Sequence, residues 1–208
     1  MPVPEKSGTG LILKNMKAIK IFLLTLAAAA LLSSCGYNNM VEKSELVEQQ
    51  WAQVETQYQR RADLIPNLVS IVKGAADFEK ETLTGVIEAR AKATSIQISA
   101  NELTPENMAK FQAAQSQLSG ALSRLLVSVE RYPELKANSN FLELQAQLEG
   151  TENRISVSRN RFNDAVGDYN SYIKKFPRNL YASNFDFEKK GYFEADKGSE
   201  KAPTISFD

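Results

Sequence analysis

Apolar residues recur along most of the chain at the spacing of amphipathic helices. From Met40 to about residue 75 they alternate steps of four and three, and Pro66 interrupts this predicted helix with an expected kink. A weaker stripe covers about residues 79–98. A third helix is predicted after Thr104, which can cap it with proline at the first helical position, and it runs as far as Pro133. The pattern is typical of long helices with short connections.

The fourth predicted helix has the most regular pattern. An aromatic or aliphatic residue returns every seven positions, at Phe141, Leu148, Ile155, Phe162, Tyr169 and Phe176. Asn140 and Glu143 form a predicted capping box at its start, and Pro177 is expected to end it. This spacing predicts a mildly supercoiled helix about 53 Å long at about 1.5 Å per residue. We therefore predict an all-α fold, an elongated antiparallel bundle of three to four long helices.

The last part of the chain differs in composition from the helical part. Residues 178–208 form an aromatic-rich tail after a bundle domain expected over residues 35–177. The aromatic residues are predicted to hold the tail against the bundle as far as Glu194. The remainder is polar and is expected to be mobile.

The N-terminus has the features of a secretory signal. Three lysines between positions 14 and 20 precede residues 21–32, which carry no charge and are too few for the roughly 20 residues of a membrane span. The tetrapeptide Leu32-Ser33-Ser34-Cys35 resembles a bacterial lipobox. We therefore expect residues 1–34 to be a lipoprotein-type signal cleaved before Cys35. An uncleaved signal anchor is the alternative, with the same topology.

Cys35 is the only cysteine in the chain. Away from a signal, a lone cysteine is usually a small buried hydrophobe. Here its thiol is predicted to carry a lipid, and two or three acyl chains then anchor a protein stably where one chain is marginal. Residues 36–39 would form a very short tether. The domain is expected outside the cytoplasm of a bacterium, on the periplasmic side of the envelope.

Composition narrows the possible functions. Four of the 25 basic residues and one of the 25 acidic residues precede Cys35, which leaves 21 basic and 24 acidic residues in the rest of the chain. A mildly acidic chain without a basic patch is a poor nucleic-acid binder. The absence of histidine removes the commonest general base and metal ligand. We therefore expect no nucleic-acid partner, no metal and no cofactor.

Two long segments resemble the LemA family. They are WAQVETQYQRRADLIPNLVSIVKG, from Trp51, and RYPELKANSNFLELQAQLEGTENRISVSRNRFNDAVGDYNSYIKKFP, from Arg131. The resemblance covers about residues 37–194. It implies a bundle of long antiparallel helices behind an N-terminal membrane segment, and a membrane-associated protein. It implies no shared reaction and no catalytic residue, and it leaves the anchor type open because many relatives keep a hydrophobic N-terminal helix.

Four residues are candidates for fixing helix register or contacting a ligand: Arg61, Pro66, Asn153 and Asn163. Arg61 lies on the apolar seam of the first helix. It is expected either to pair with a carboxylate such as Glu152 or to extend its stem along the seam. A phosphate or head-group site is the alternative.

The sequence favours a protein that acts by contact over an enzyme. Asp164 and Asp168 share a helix face, which suits a paired-carboxylate or metal site, but a solvated face is the simpler interpretation. We expect a non-enzymatic scaffold or adaptor with an unknown envelope protein as its partner. The alternative is a ligand- or lipid-binding protein with a pocket between helices near Arg61 and Pro66. An envelope hydrolase is the weakest reading.

Overall fold

The computed structural model describes residues 8–74 and 78–195, with the backbone alone for residues 8–15, 17–18, 23–35 and 181. Most of the described residues are helical, and none of them lies in a strand. The helices are α1 (Gly8–Lys73), α2 (Lys80–Ser95), α3 (Pro105–Val129), α4 (Pro133–Lys136), α5 (Ser139–Lys174) and α6 (Arg178–Asn184), with a 3₁₀ turn at Ala100–Glu102. The predicted all-α bundle is confirmed, with four long helices.

Helix α1 is much longer than the sequence pattern predicts. Its 66 residues span about 99 Å at about 1.5 Å per residue. The helix continues through residues 36–39, predicted as a tether, and through Pro66 to Lys73. Among the side chains of α1 that the structure describes, Met40 is the first buried one, and those of Met16, Ile19, Ile21 and Phe22 are exposed. Within the described part of the chain, no helix has a stretch long and apolar enough to cross a membrane.

The long helices pack in two pairs. Helix α1 lies along α5, and α2 lies along α3. Short connections join consecutive helices, so neighbours run antiparallel. Two apolar clusters result. One joins residues 40–58 of α1 to residues 155–173 of α5 and to the end of the tail. The other joins residues 65–72 of α1 to α2 and to the facing halves of α3 and α5.

Helix α3 begins and packs as its sequence predicts. Thr104 is its cap, and the hydroxyl oxygen accepts a hydrogen bond from the backbone N–H of Asn107 at 3.3 Å. Pro105 is the first helical residue. Seven side chains that recur at steps of three and four along this helix are buried: Met108, Phe111, Gln115, Leu118, Leu122, Leu125 and Val129. Tyr132 lies after the end of the helix and is half-buried.

Helix α5 corrects the prediction at both ends. Its cap is Asn138, whose side-chain oxygen accepts from the N–H groups of Asn140 and Phe141, so the predicted capping box with Glu143 is wrong. The helix ends at Lys174, before the last position of the seven-residue repeat. Phe176 is 80% exposed, because it lies beyond the helix and outside the seam. Ile87, which lies within the weaker apolar stripe over residues 79–98, is also exposed.

Candidate functional site

A polar layer separates the two apolar clusters, and Arg61 lies at its centre. The side chain is 1% exposed. Its Nη1 donates to Oγ of Ser119 at 2.8 Å and to Oε1 of Glu152 at 2.6 Å. Its Nη2 donates to the side-chain oxygen of Gln115 at 2.6 Å. Arg61 therefore joins α1 to α3 and α5 at the middle of the bundle.

The same layer reaches the remaining long helix. Nε2 of Gln115 donates to the backbone oxygen of Ala93 in α2 at 3.4 Å, and Nε of Arg90 in α2 donates to the backbone oxygen of Ala62 at 2.8 Å. A buried polar group is stable only where partners satisfy it, so this network favours one relative position of the four helices. Nε of Arg61 and Oε1 of Gln57 are buried without hydrogen-bond partners among the described residues.

The guanidinium geometry distinguishes pairing of Arg61 with Glu152 from a phosphate or head-group site. Both terminal nitrogens of Arg61 already donate to protein oxygens, one of them on a carboxylate. The Glu152 side chain is 44% exposed, so the pair joins a buried cation to a carboxylate at the surface. The guanidinium carbon also lies 5.0 Å from the ring centre of Tyr58. This arrangement supports a role in helix register rather than an open head-group site.

The other predicted site residues do not join this layer. Pro66 and Asn153 are exposed on α1 and α5. Asn163 bonds to the tail, as described below. The side chain of Cys35 lies outside the described residues. Asp164 and Asp168 are exposed, as expected for a solvated face. Nζ of Lys43 lies 3.9 Å from the Asp168 carboxylate.

Two grooves run between the helix pairs. One, of about 1360 Å³, lies between α1 and the α2–α3 connection and includes Arg60, Asp63 and Asn67. The other, of about 560 Å³, lies between α3 and α5. It is mostly apolar and ends at Ser119 and Glu152, two partners of Arg61. Among the described residues, no three His, Cys, Asp or Glu side chains are grouped as metal ligands would be.

The tail forms a second polar site, which sequence analysis missed. After α6, residues 188–195 form neither helix nor strand, and burial alternates from Gly191 to Glu194 as in an extended chain, with Phe193 buried in the first apolar cluster. Its ring centre lies 5.5 Å from that of Phe162 and 6.2 Å from that of Trp51. We name residues 188–195 the strap. Its aromatic composition indicated the contact with the bundle, but not its polar partners.

Three side-chain amides bind the backbone of the strap. Each contributes a donor and an acceptor: Asn170 to Lys190, Asn163 to Phe193, and Gln112 to Glu194, with distances of 2.7–3.0 Å. Asn163 and Asn170 are one heptad apart, so both lie on the same face of α5. The backbone N–H of Gly191 donates to the oxygen of Leu103 at 2.7 Å. The side-chain amides thus pair with the strap backbone through donors and acceptors, as the edge of a β-strand would.

Two ionisable groups of the strap site have shifted pKa values. Burial, with the nearby charges of Glu188 and Glu48, raises the pKa of Tyr169 to about 12. Its hydroxyl donates to the backbone oxygen of Glu188 at 3.0 Å. Burial lowers the pKa of Lys190, whose ammonium lies 3.7 Å from Glu48, and that carboxylate opposes the shift.

Tyr169 gives the protein a predicted sensitivity to alkaline pH. Its pKa is raised from about 10 in the unfolded chain to about 12 in the folded one, so its contribution to stability is fully present below pH 10. That contribution is lost as pH rises through about 12. We expect Tyr169→Phe to lower stability by about 1 kcal/mol at neutral pH and to flatten the loss between pH 10 and 12. Chemical unfolding between pH 10 and 12 measures the free energy of unfolding of both proteins. If this free energy fell equally with pH in the unmodified chain and in Tyr169→Phe, the prediction would be contradicted.

Comparison with known proteins identifies relatives over most of the chain. A family model described as LemA family matches residues 50–207. Magnetosome protein MamQ of Magnetospirillum gryphiswaldense is 27% identical over 220 residues, which covers 98% of this chain and 79% of that protein. Magnetosome protein MamQ 2 of Paramagnetospirillum magneticum is 25% identical over 224 residues, with the same coverage. Protein LemA of Metamycoplasma hominis is 22% identical over 177 residues, covering 85% and 77%.

Proposed function

The chain belongs to the LemA family, and from this premise we propose that it is a membrane-anchored, non-enzymatic envelope protein acting as a scaffold or adaptor. It would act through contacts between its helices and other proteins. Family membership supports placement at the cell envelope. The observation that carries the proposal is the continuity of α1 across residues 36–39, which connects position 35 to the bundle without a break in the helix.

That continuity links the proposed attachment position, residue 35, directly to the bundle. Before cleavage, the described side chains of Ile19, Ile21 and Phe22 are more than half exposed, as expected for a signal segment that contacts lipid rather than its own bundle. Because the helix continues through residues 36–39, a lipid at position 35 would hold the bundle close to the membrane. A bundle held in this way offers its sides to partners.

The groove between α3 and α5 supplies such a side. Val127 and Leu142 lie on it and are 69% and 49% exposed. Apolar grooves of this kind bind amphipathic helices, which place their apolar face in the groove. We therefore place the proposed protein contact on this groove.

Capture of partners in cells tests the scaffold proposal. A photo-crosslinking residue at position 142 is expected to capture an envelope protein reproducibly before solubilisation in detergent. The same residue at position 164, exposed on α5 outside the groove, is the matched control. If position 142 captures nothing beyond position 164, the groove is not an adaptor surface.

The membrane attachment is proposed to depend on a lipid on Cys35, with residues 1–34 as the removed signal and the bundle on the periplasmic side. We expect Cys35→Ser to abolish incorporation of labelled fatty acid and to leave a slower-migrating precursor, because no thiol remains to be acylated. Gel migration and metabolic labelling check this. Unchanged migration and unchanged membrane extraction of the variant would exclude lipidation at this position and favour an uncleaved anchor.

A second candidate is a ligand- or lipid-binding protein. The groove beside α1 favours it, since Leu64 and Asn67 line it on either side of Pro66 and Arg60 and Asp63 add polar groups. Its volume exceeds the roughly 300–1,000 Å³ of typical ligand sites because it is open to solvent. Mass spectrometry of the purified protein, compared with Leu64→Trp, distinguishes this candidate. A bound compound that the tryptophan variant loses would support it.

A further inference from the structure

We propose that the channel holding the strap is a recognition site for extended peptides, and that the strap of a second copy of this chain can occupy it in place of the chain's own strap. The site would thus join copies of the protein by exchange of C-terminal segments. This inference does not depend on the anchor or on the groove between α3 and α5.

The site binds a peptide backbone by means that do not depend on the peptide's sequence. Gln112, Asn163 and Asn170 each present a paired donor and acceptor to one residue of the strap. Tyr169 adds a hydroxyl donor, and Nη2 of Arg159 donates to the backbone oxygen of Glu194 at 3.1 Å. Main-chain bonds of this kind supply the affinity in sites that bind extended peptides.

Specificity comes from alternate side chains, as it does wherever a peptide is bound extended. Gly191 and Phe193 are buried, whereas Tyr192 and Glu194 between and beyond them are exposed. A Cβ atom on Gly191 would lie 2.8 Å from the backbone of Pro105, so only glycine fits there. The channel therefore selects the pattern glycine, any residue, phenylalanine.

The phenylalanine position is a formed aromatic pocket. Trp51, Phe111 and Phe162 surround Phe193 with ring centres 5.5–6.3 Å away, and the guanidinium carbon of Arg159 lies 4.8 Å above its ring. These rings come from α1, α3 and α5, which belong to the bundle without the strap. The pocket walls thus come from helices outside the segment that fills them.

The occupant with the matching sequence is the strap itself, and a second copy carries the same one. The strap's only backbone-to-backbone hydrogen bond to the bundle, within the described residues, joins Gly191 to Leu103. Residues 185 and 186, which precede the strap, are exposed, and Asp186 has a positive φ of 56°. Since an exchanged strap would make identical contacts, exchange costs little beyond the loss of the intramolecular connection.

Peptide binding to the full chain tests the site. The probe is a fluorescent peptide of residues 187–195, FEKKGYFEA, and the receptor is the full-length Phe193→Ala variant in detergent, whose own strap is weakened. We expect saturable binding at least tenfold tighter than to the unmodified chain, whose channel is filled. Adding Asn163→Leu and Asn170→Leu to the receptor should abolish it. Alanine at the glycine or phenylalanine position of the peptide should do the same, whereas alanine at the exposed tyrosine should not.

Association of copies tests the occupant. Two full-length chains with different affinity tags are mixed in detergent, and one tag is expected to recover the other. Gly191→Ala in both chains should remove this recovery, while Tyr192→Ala retains it. This arm uses unmodified chains, so it decides the proposal even if Phe193→Ala fails to fold. Peptide binding without recovery would overturn exchange between copies, and absence of both would overturn the site itself.

Discussion

Glu152→Ala is expected to destabilise the bundle by about 3 kcal/mol. The substitution leaves the guanidinium of Arg61 buried without its carboxylate, and breaking a buried ion pair from one side costs about 3–5 kcal/mol. The lower end of that range applies because the Glu152 side chain is partly exposed and water can replace some of its contact. Unfolding by guanidinium chloride in detergent, monitored by far-UV circular dichroism, measures the change in the free energy of unfolding.

The cost should depend on which partner is removed. Arg61→Met replaces the cation by an apolar chain of similar length, and the double variant Arg61→Met, Glu152→Ala is expected to be more stable than Glu152→Ala alone. Arg61→Met also removes the hydrogen bonds to Ser119 and Gln115, so the double variant is not expected to regain the full stability of the unmodified chain. If Glu152→Ala and the double variant were destabilised equally, the charge of Arg61 would not be what Glu152 balances.

Trp51→Ala is expected to cost about 3–5 kcal/mol, the range for deleting a large buried aromatic side chain. Trp51 is 2% exposed and packs against Phe111, Phe162 and Phe193, so its removal opens a cavity where α1, α3, α5 and the strap meet. Its Nε1 donates to the backbone oxygen of Ile98 at 3.0 Å, and that acceptor loses its partner. Thermal unfolding by circular dichroism checks the effect.

Trp51→Phe is the matched variant for this prediction. It retains most of the buried area but loses the hydrogen bond to Ile98, so we expect a smaller cost of about 1–2 kcal/mol. The difference between the two variants separates packing from hydrogen bonding. A cost below about 1 kcal/mol for Trp51→Ala would mean that the aromatic cluster is not a stabilising centre of the bundle.

Much of the bundle could be predicted from apolar spacing alone. The buried heptad positions of α5, from Phe141 to Tyr169, and the cap of α3 at Thr104 are where the sequence places them. Predictions were wrong where a local choice depended on neighbours. Asn138 and Asn140 are both good caps by residue type, and the position of Leu135 and Phe141 in the core selects the first.

The two polar sites differ in how far they could be predicted. Arg61 was recognisable because a charge on an apolar seam contradicts the pattern, and Glu152 lies at a matching distance along the opposing helix. Asn163, Asn170 and Gln112 gave no such signal. Amides are common on helix surfaces, and their role depends on an extended segment that returns to them from as far as 82 residues away along the chain.

The sequence by itself determined the helical class, the long seams, the family and the buried arginine, because periodicity and a misplaced charge are local properties of a chain. Only the tertiary structure decided that α1 runs unbroken through Pro66, that one polar layer divides the core, and that the strap lies in a channel of amides. These features arise from contacts between segments far apart in sequence, whose geometry exists only once the helices have packed.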